Sequence, residues 1–189
     1  MSKPLSEMTR EELWHLFPIF LTEHQACWEA WYDEEHMLLS SILPQYPTIQ
    51  ISHIGSTAVQ RIWAKPIIDI LVQITEQMDM QAICDIFTEN GYLCMSRSDS
   101  RISFNKGYTA SGFAEKVFHL HLRYAGDNDE LYFRDYLNEH ADVAEEYEKL
   151  KLALWKTYEY DRDGYTDAKT AFISEITRKA KAAYAGRYM

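Results

Sequence analysis

The chain has 189 residues, 47% hydrophobic and 14% aromatic, enough to bury a sizeable core as one large domain or one domain with a helical extension. Its formal charge is −10, spread as −6 over residues 1–47, −1 over 48–128 and −3 over 129–189. Non-specific binding of long nucleic acids rests on phosphate neutralisation and is excluded by this balance, whereas a small phosphorylated ligand is not.

No apolar run approaches the ~18 residues of a membrane span. The opening residues 1–13 lack the basic and apolar parts of a signal peptide. Cys27, Cys84 and Cys94 are odd in number and have no CxxC spacing, which points to buried thiols and a reducing, cytoplasmic setting. Nothing in the sequence sets an oligomeric state.

Thr9-Arg10-Glu11-Glu12 reads as a capping box that opens a short helix ended by Pro18, followed by an extended piece over 18–22. A helix is expected over 25–43, burying Trp28, Trp31, Tyr32, Leu38, Leu39 and Ile42, with Pro44 and Pro47 closing it. Strands at 48–54 and 66–74 follow, then a helix at 77–89 stopped by Asn90-Gly91. Three more strands are expected at 92–95, 101–105 and 116–124, the last two joined by a loop over 105–113. The remainder reads as helices at 129–138, 141–159 and 165–184, the last two broken at Asp163-Gly164. The fold class is α+β: a mixed β-sheet with helices against it and a helical C-terminal part. The organisation expected is a single domain over 1–189, with N-terminal helices over 1–47, a sheet core over 48–128 and C-terminal helices over 129–189.

The chemistry concentrates in two stretches, His53-Ile54-Gly55-Ser56-Thr57 and Lys65-Pro66-Ile67-Ile68-Asp69-Ile70-Leu71-Val72. They read as a strand, a Gly-Ser turn opening a short helix, and a second strand with one acid in an apolar run. Gly55 lets backbone approach an anion, and Ser56 and Thr57 add hydroxyls and N–H groups at a helix start. A carboxylate at Asp69 needs a metal, a cation or a hydrogen-bonding ligand beside it. His53 shares strand parity with Gly55, and either orients the turn or is a satisfied structural histidine. Lys65, at the strand start, pairs with Asp69 or a phosphate, or is simply solvated.

The strand 116–124 alternates, with Phe118, Leu120, Leu122 and Tyr124 on one face and His119, His121 and Arg123 on the other. Asp69 with His119 and His121 would make a mixed nitrogen and oxygen site. That set suits zinc or manganese better than magnesium. The competing reading is a polar groove in which the imidazoles only hydrogen-bond. Lys106, in the expected loop, would reach a phosphate as a point charge. The stripe Tyr147, Leu150 and Leu154 reads as core, and Lys149, Lys151, Arg162 and Lys169 as solvated face. Tyr165 and Lys169 have the alternative of walling the groove.

On these residues the chain resembles the GrpB family of the nucleotidyltransferase superfamily. His53–Val59 (HIGSTAV) and Lys65–Val72 (KPIIDILV) carry the resemblance, with Phe104–Thr109, Val117–Leu122, Phe133–Leu137 and Glu146–Lys151, and it runs from about Trp28 to about Ile176. The resemblance implies a nucleotidyltransferase-like mixed sheet. It also implies a triphosphate held by Gly55 and Ser56, a divalent metal (Mg, Mn or Zn) on Asp69, and His119 or His121 as further ligand or base. Two departures stand out. The superfamily's Asp-x-Asp reads Ile67-Ile68-Asp69 here, with Asp99, Glu115 and Asp127 as the possible substitutes. The family's Pro-Gly after the turn helix reads Gln60-Arg61, which would add a positive charge to the site. GrpB-like domains also occur joined to dephospho-coenzyme-A kinase domains. The functions expected are therefore nucleotidyl or phosphoryl transfer, non-catalytic binding of a nucleotide-like or coenzyme-A-like molecule, or metal-assisted phosphoester hydrolysis.

Overall fold

The computed structural model describes residues 3–188; Met1, Ser2 and Met189, included in the single-domain expectation, lie outside the described residues. Helix α1 (Arg10–Leu16) starts at a complete capping box between Thr9 and Glu12. The extended piece after Pro18 is held by a bridge between Thr22 and Ala64. Helix α2 (Cys27–Ile42) precedes β1 (Gln50–Ile54), a single 3-10 turn at Ser56–Ala58, and β2 (Ile68–Ile74). Helix α3 (Met80–Glu89) leads to β3 (Leu93–Arg97), β4 (Arg101–Thr109) and β5 (Gly112–Tyr124). Helices α4 (Asp129–Glu139), α5 (Ala141–Thr157) and α6 (Arg162–Ala183) complete the chain.

The sheet order is β1-β2-β5-β4-β3, with β2 and β5 parallel and all other neighbours antiparallel. Side chains alternate across a strand, so one register decides which residues share a face. Ile68, Ile70 and Val72 of β2 stand beside Phe118, Leu120 and Leu122 of β5. They pack with Phe104 of β4 under Trp28 and Leu39 of α2 and Ile83 and Phe87 of α3. Each such side chain contributes about 1.5–3 kcal/mol when fully buried, so this face carries the main core. The opposite parity places Asp69 beside His119 and Leu71 beside His121, and the C-terminal helices roof that polar face.

A second apolar cluster ties those helices to the turn. Val59 and Ile62 pack with Leu137, Ala144, Tyr147 and Ile176. Asn138 clamps the same segment, accepting from Gln60 N at 3.1 Å and donating to Ala58 O at 3.0 Å.

Three expectations are corrected. The segment 105–113 is not a loop: β4 continues to Thr109 and β5 begins at Gly112. Gly107 (φ 90°) absorbs a register shift, because a Cβ there would run into the Lys116 backbone. The break between the last helices lies at 158–161, ahead of Asp163-Gly164. Asp161 caps α6 by accepting from Gly164 N at 2.9 Å, which places Gly164 in the first turn. The turn helix after Gly55 is one 3-10 turn, too short for an appreciable helix dipole.

Candidate functional site: a cationic cleft between the sheet and the C-terminal helices

The Gly-Ser turn is built around Asp69. Gly55 adopts φ 72°, ψ −173°, a region open essentially to glycine alone. A Cβ there would overlap the Asp69 carboxylate and come within 2.9 Å of Asp69 Cβ. Thr57 is buried; its hydroxyl donates to Ile67 O at 3.2 Å and therefore accepts from His53 Nε2 at 3.0 Å. The His53 ring stacks on Tyr32 at 4.7 Å, and Arg134 Nη1 donates to its carbonyl at 2.8 Å. Burial brings the His53 imidazole down to about 4, so it stays neutral at physiological pH. His53 and Thr57 thus fasten the turn to the start of β2.

Asp69 Oδ1 faces two imidazoles, His119 Nδ1 at 3.4 Å and His121 Nε2 at 3.7 Å. Burial alone would push this carboxyl up, but the two imidazoles hold it well below the usual carboxylate range, so Asp69 is an anion. Behind His119, Arg162 Nη2 donates to the Tyr108 oxygen at 3.0 Å, and that oxygen lies 2.7 Å from His119 Nε2. The Tyr108 proton then points to Nε2, which leaves Nδ1 as the protonated nitrogen facing Asp69. Burial lowers the His119 pKa against the pull of Asp69 and favours this neutral form.

The carboxylate opens into a cavity of about 680 Å³ lined by β2, β5, the Gly-Ser turn and α4–α6, a size that suits a small molecule. In a chain of net charge −10, seven Lys and Arg side chains line it against three carboxylates. Several are already paired: Arg123 with Glu130 at 2.7 Å, Arg101 with Asp127 at 2.6 Å, and Lys181 with Asp129. Lys65, Lys151 and Lys169 make no salt bridge among the described residues. Two of them come from a repeated spacing. Lys151 lies four residues after Tyr147 on α5, its Nζ 4.8 Å from that ring, and Lys169 four after Tyr165 on α6, at 4.2 Å. Lys65 reaches the Tyr165 ring from the sheet side, at 5.5 Å.

These ammonium groups raise one another's cost. Burial, with Lys169 and Arg162 nearby, brings Lys65 down to about 7. Burial and Lys169 bring Lys151, only 2% exposed, to about 7 as well. Burial brings Lys169 to about 8, against Asp69. Lys151 donates to the Trp63 carbonyl. Among them the Tyr165 hydroxyl, on a residue 1% exposed, has no hydrogen-bond partner among the described residues.

Of the residues expected at the site, Gly55, Ser56, Thr57, Lys65, Asp69, His119 and Arg123 line the cleft. His53 stands behind the turn, and His121 touches Asp69 from the neighbouring strand position. Lys106 is elsewhere: it sits on β4, opposite Phe118 on the core face, and its ammonium meets Glu35 at 2.6 Å. Arg61 is exposed and adds no charge to the cleft. Lys151, read as solvated, is buried; its spacing from Tyr147, a core-stripe residue, was the available signal.

A divalent metal fits this donor set poorly. Among the described residues no group of three or more His, Cys, Asp or Glu has the geometry to hold a metal ion. Among the described residues, Asp69 alone of the cleft carboxylates has no Lys or Arg partner; Asp129 and Glu130 are held by Lys181 and Arg123. Of the possible substitutes, Asp127 is bound to Arg101 and Arg123, and Asp99 and Glu115 are exposed and outside the cleft.

Known proteins resemble the chain in sequence and fold. The family model described as GrpB protein covers residues 18–179. The Glutamate-rich protein GrpB of Alkalihalophilus pseudofirmus is 37% identical over 164 residues, 84% of this chain and 93% of that protein. A crystal structure of conserved protein GrpB from Enterococcus faecalis superposes with a TM-score of 0.75 at 31% identity, covering 87% of this chain and 99% of that one. Fainter likenesses reach the Cid1 poly(U) polymerase, at 15% identity and a TM-score of 0.42 over 61% of this chain and 39% of that one, too faint to carry residues across. No helix among the described residues is long and apolar enough to cross a membrane.

Proposed function

Because the chain belongs to the GrpB protein family and shares its fold with a solved member, we propose that its cleft binds a small phosphorylated ligand such as a nucleotide or a coenzyme-A-like molecule. The observation that carries this reading is the convergence of Lys65, Lys151 and Lys169 on one cavity without carboxylate partners. An enclosed cation without a counter-charge is costly, Lys151 above all at 2% exposed, and a phosphate removes that cost by charge-assisted hydrogen bonds. The Gly55-Ser56 turn and Arg178 line the same cavity and offer further donors. A cavity of about 680 Å³ accommodates a mononucleotide.

Transfer chemistry is a second reading, favoured by the line Asp69, His119, Tyr108 and Arg162. Neutral His119 between a carboxylate and a phenol is able to accept a proton at Nε2 once Tyr108 turns away. A two-metal mechanism lacks its further carboxylates here. The test is a thermal-shift panel of ATP, CTP, coenzyme A and pyrophosphate, with and without metals, on the native chain and on Lys169→Gln. A rise with phosphorylated compounds that is lost in Lys169→Gln supports binding in this cleft. Shifts of equal size in both proteins would remove it.

A further inference from the structure

Among the described residues no group of three metal-ligating side chains forms in the cleft, whereas Lys and Arg outnumber carboxylates there, and the two facts have one explanation. We propose that the cleft takes its phosphorylated ligand as the bare anion, without a divalent cation. Lys65, Lys151 and Lys169 meet its charge, and the Tyr165 hydroxyl donates to one of its oxygens. The inference rests on the phosphate-binding reading and names what neutralises the charge.

Three observations lead to it. Asp69 already has cationic and imidazole neighbours and needs no metal: His119 and His121 flank it, and Lys65 and Lys169 act on it through space. A dication beside it would enter a cleft lined by three lysines without carboxylate partners, which favours a free anion and opposes a metal complex. The orphaned Tyr165 hydroxyl supplies the geometric mark of a missing partner. The hydroxyl is buried, its residue lines the cavity, and Lys65 and Lys169 lie over its ring. A buried hydroxyl is normally paired, and here a partner arriving with the ligand completes it. The lysines come from β2's approach, α5 and α6, so the three elements close on one anion.

The direct test is calorimetric titration of inorganic tripolyphosphate and of ATP into the full chain, in EDTA and in excess Mg²⁺. Lys169→Gln and Tyr165→Phe are run alongside, with thermal midpoints as the folding control. Binding at least as tight in EDTA as in Mg²⁺ is expected, because Mg²⁺ sequesters the free anion. Each substitution should weaken it by about ten-fold or more, the scale of one charge-assisted hydrogen bond. Binding seen only with Mg²⁺ would overturn the metal-free proposal and leave the phosphate reading intact. Binding in EDTA that neither substitution weakens would overturn the assigned residues. No binding of either compound in either condition would overturn both readings.

Discussion

Gly55 presents its bare α-carbon to the Asp69 carboxylate, which occupies the space a side chain would need. The turn and the acid are therefore one structural unit, fastened by His53, Thr57 and the Ile67 carbonyl. The glycine has a backbone reason as well as a packing one, since φ 72° with ψ −173° is closed to other residues.

Gly55→Ala should accordingly cost about 2–3 kcal/mol, combining backbone strain with displacement of Asp69. For a chain of this size that lowers the thermal midpoint by roughly 5–10 °C. A midpoint within about 1 °C of the native protein would show that the turn relaxes freely.

Arg61 is the other marked backbone position, with φ 69° on a residue that has a side chain. The left-handed region costs roughly 1–2 kcal/mol for an L-residue, part of which glycine's greater unfolded freedom offsets. Arg61→Gly should raise the midpoint by about 2–4 °C and leave ligand binding unchanged, because Arg61 lies outside the cleft. Differential scanning calorimetry reads the first outcome and titration the second.

Tyr165→Phe separates stability from binding. Removing an unpaired buried hydroxyl relieves a desolvation penalty of about 1–3 kcal/mol at most, so the free protein should be as stable as the native chain or more so. A clear drop in midpoint would mean that the hydroxyl has a structural partner in the free protein.

The lysines set a pH signature. In the folded chain Lys65 and Lys151 lie at about 7 and Lys169 at about 8, below the ~10.4 of an unfolded lysine. Lys65 faces Lys169, Arg162 and Asp69; Lys151 faces Lys169, Lys65 and Glu148; Lys169 faces Asp69. Between about pH 7 and pH 10 the unfolded chain binds more protons, so this contribution makes the free protein more stable as pH rises. Phosphate affinity should move the other way, weakening as the lysines lose their protons. Midpoints across that range should climb for the native chain and climb less for Lys151→Met. A falling or identical slope would contradict the assignment.

Much of this was legible in the sequence because period-two alternation is a strong signal. The split of 116–124 into Phe118, Leu120, Leu122 and His119, His121, Arg123 reappears in the sheet, and Asp69 meets His119 in the parallel register. The Thr9 capping box likewise has a local cause and forms as expected. Lys106 was misplaced because two glycines suggested a loop, whereas Gly107 serves a bulge inside a strand pair. Lys151 was missed for a different reason. A lysine on an amphipathic helix usually reaches solvent, and only the tertiary packing of α5 against the turn exit encloses this one. The orphaned Tyr165 hydroxyl has no counterpart in sequence pattern, since a missing partner is a property of packing.

The most direct measurement is a two-dimensional NMR titration of the isotope-labelled chain with pyrophosphate in EDTA, following backbone amides and lysine side-chain nitrogens. The account predicts saturable shifts at Gly55, Ser56, Lys65, Lys151, Tyr165 and Lys169. The core-face Lys106–Glu35 pair should stay unmoved. Shifts confined to exposed lysines such as Lys149, or none at all, would contradict a phosphate site in this cleft.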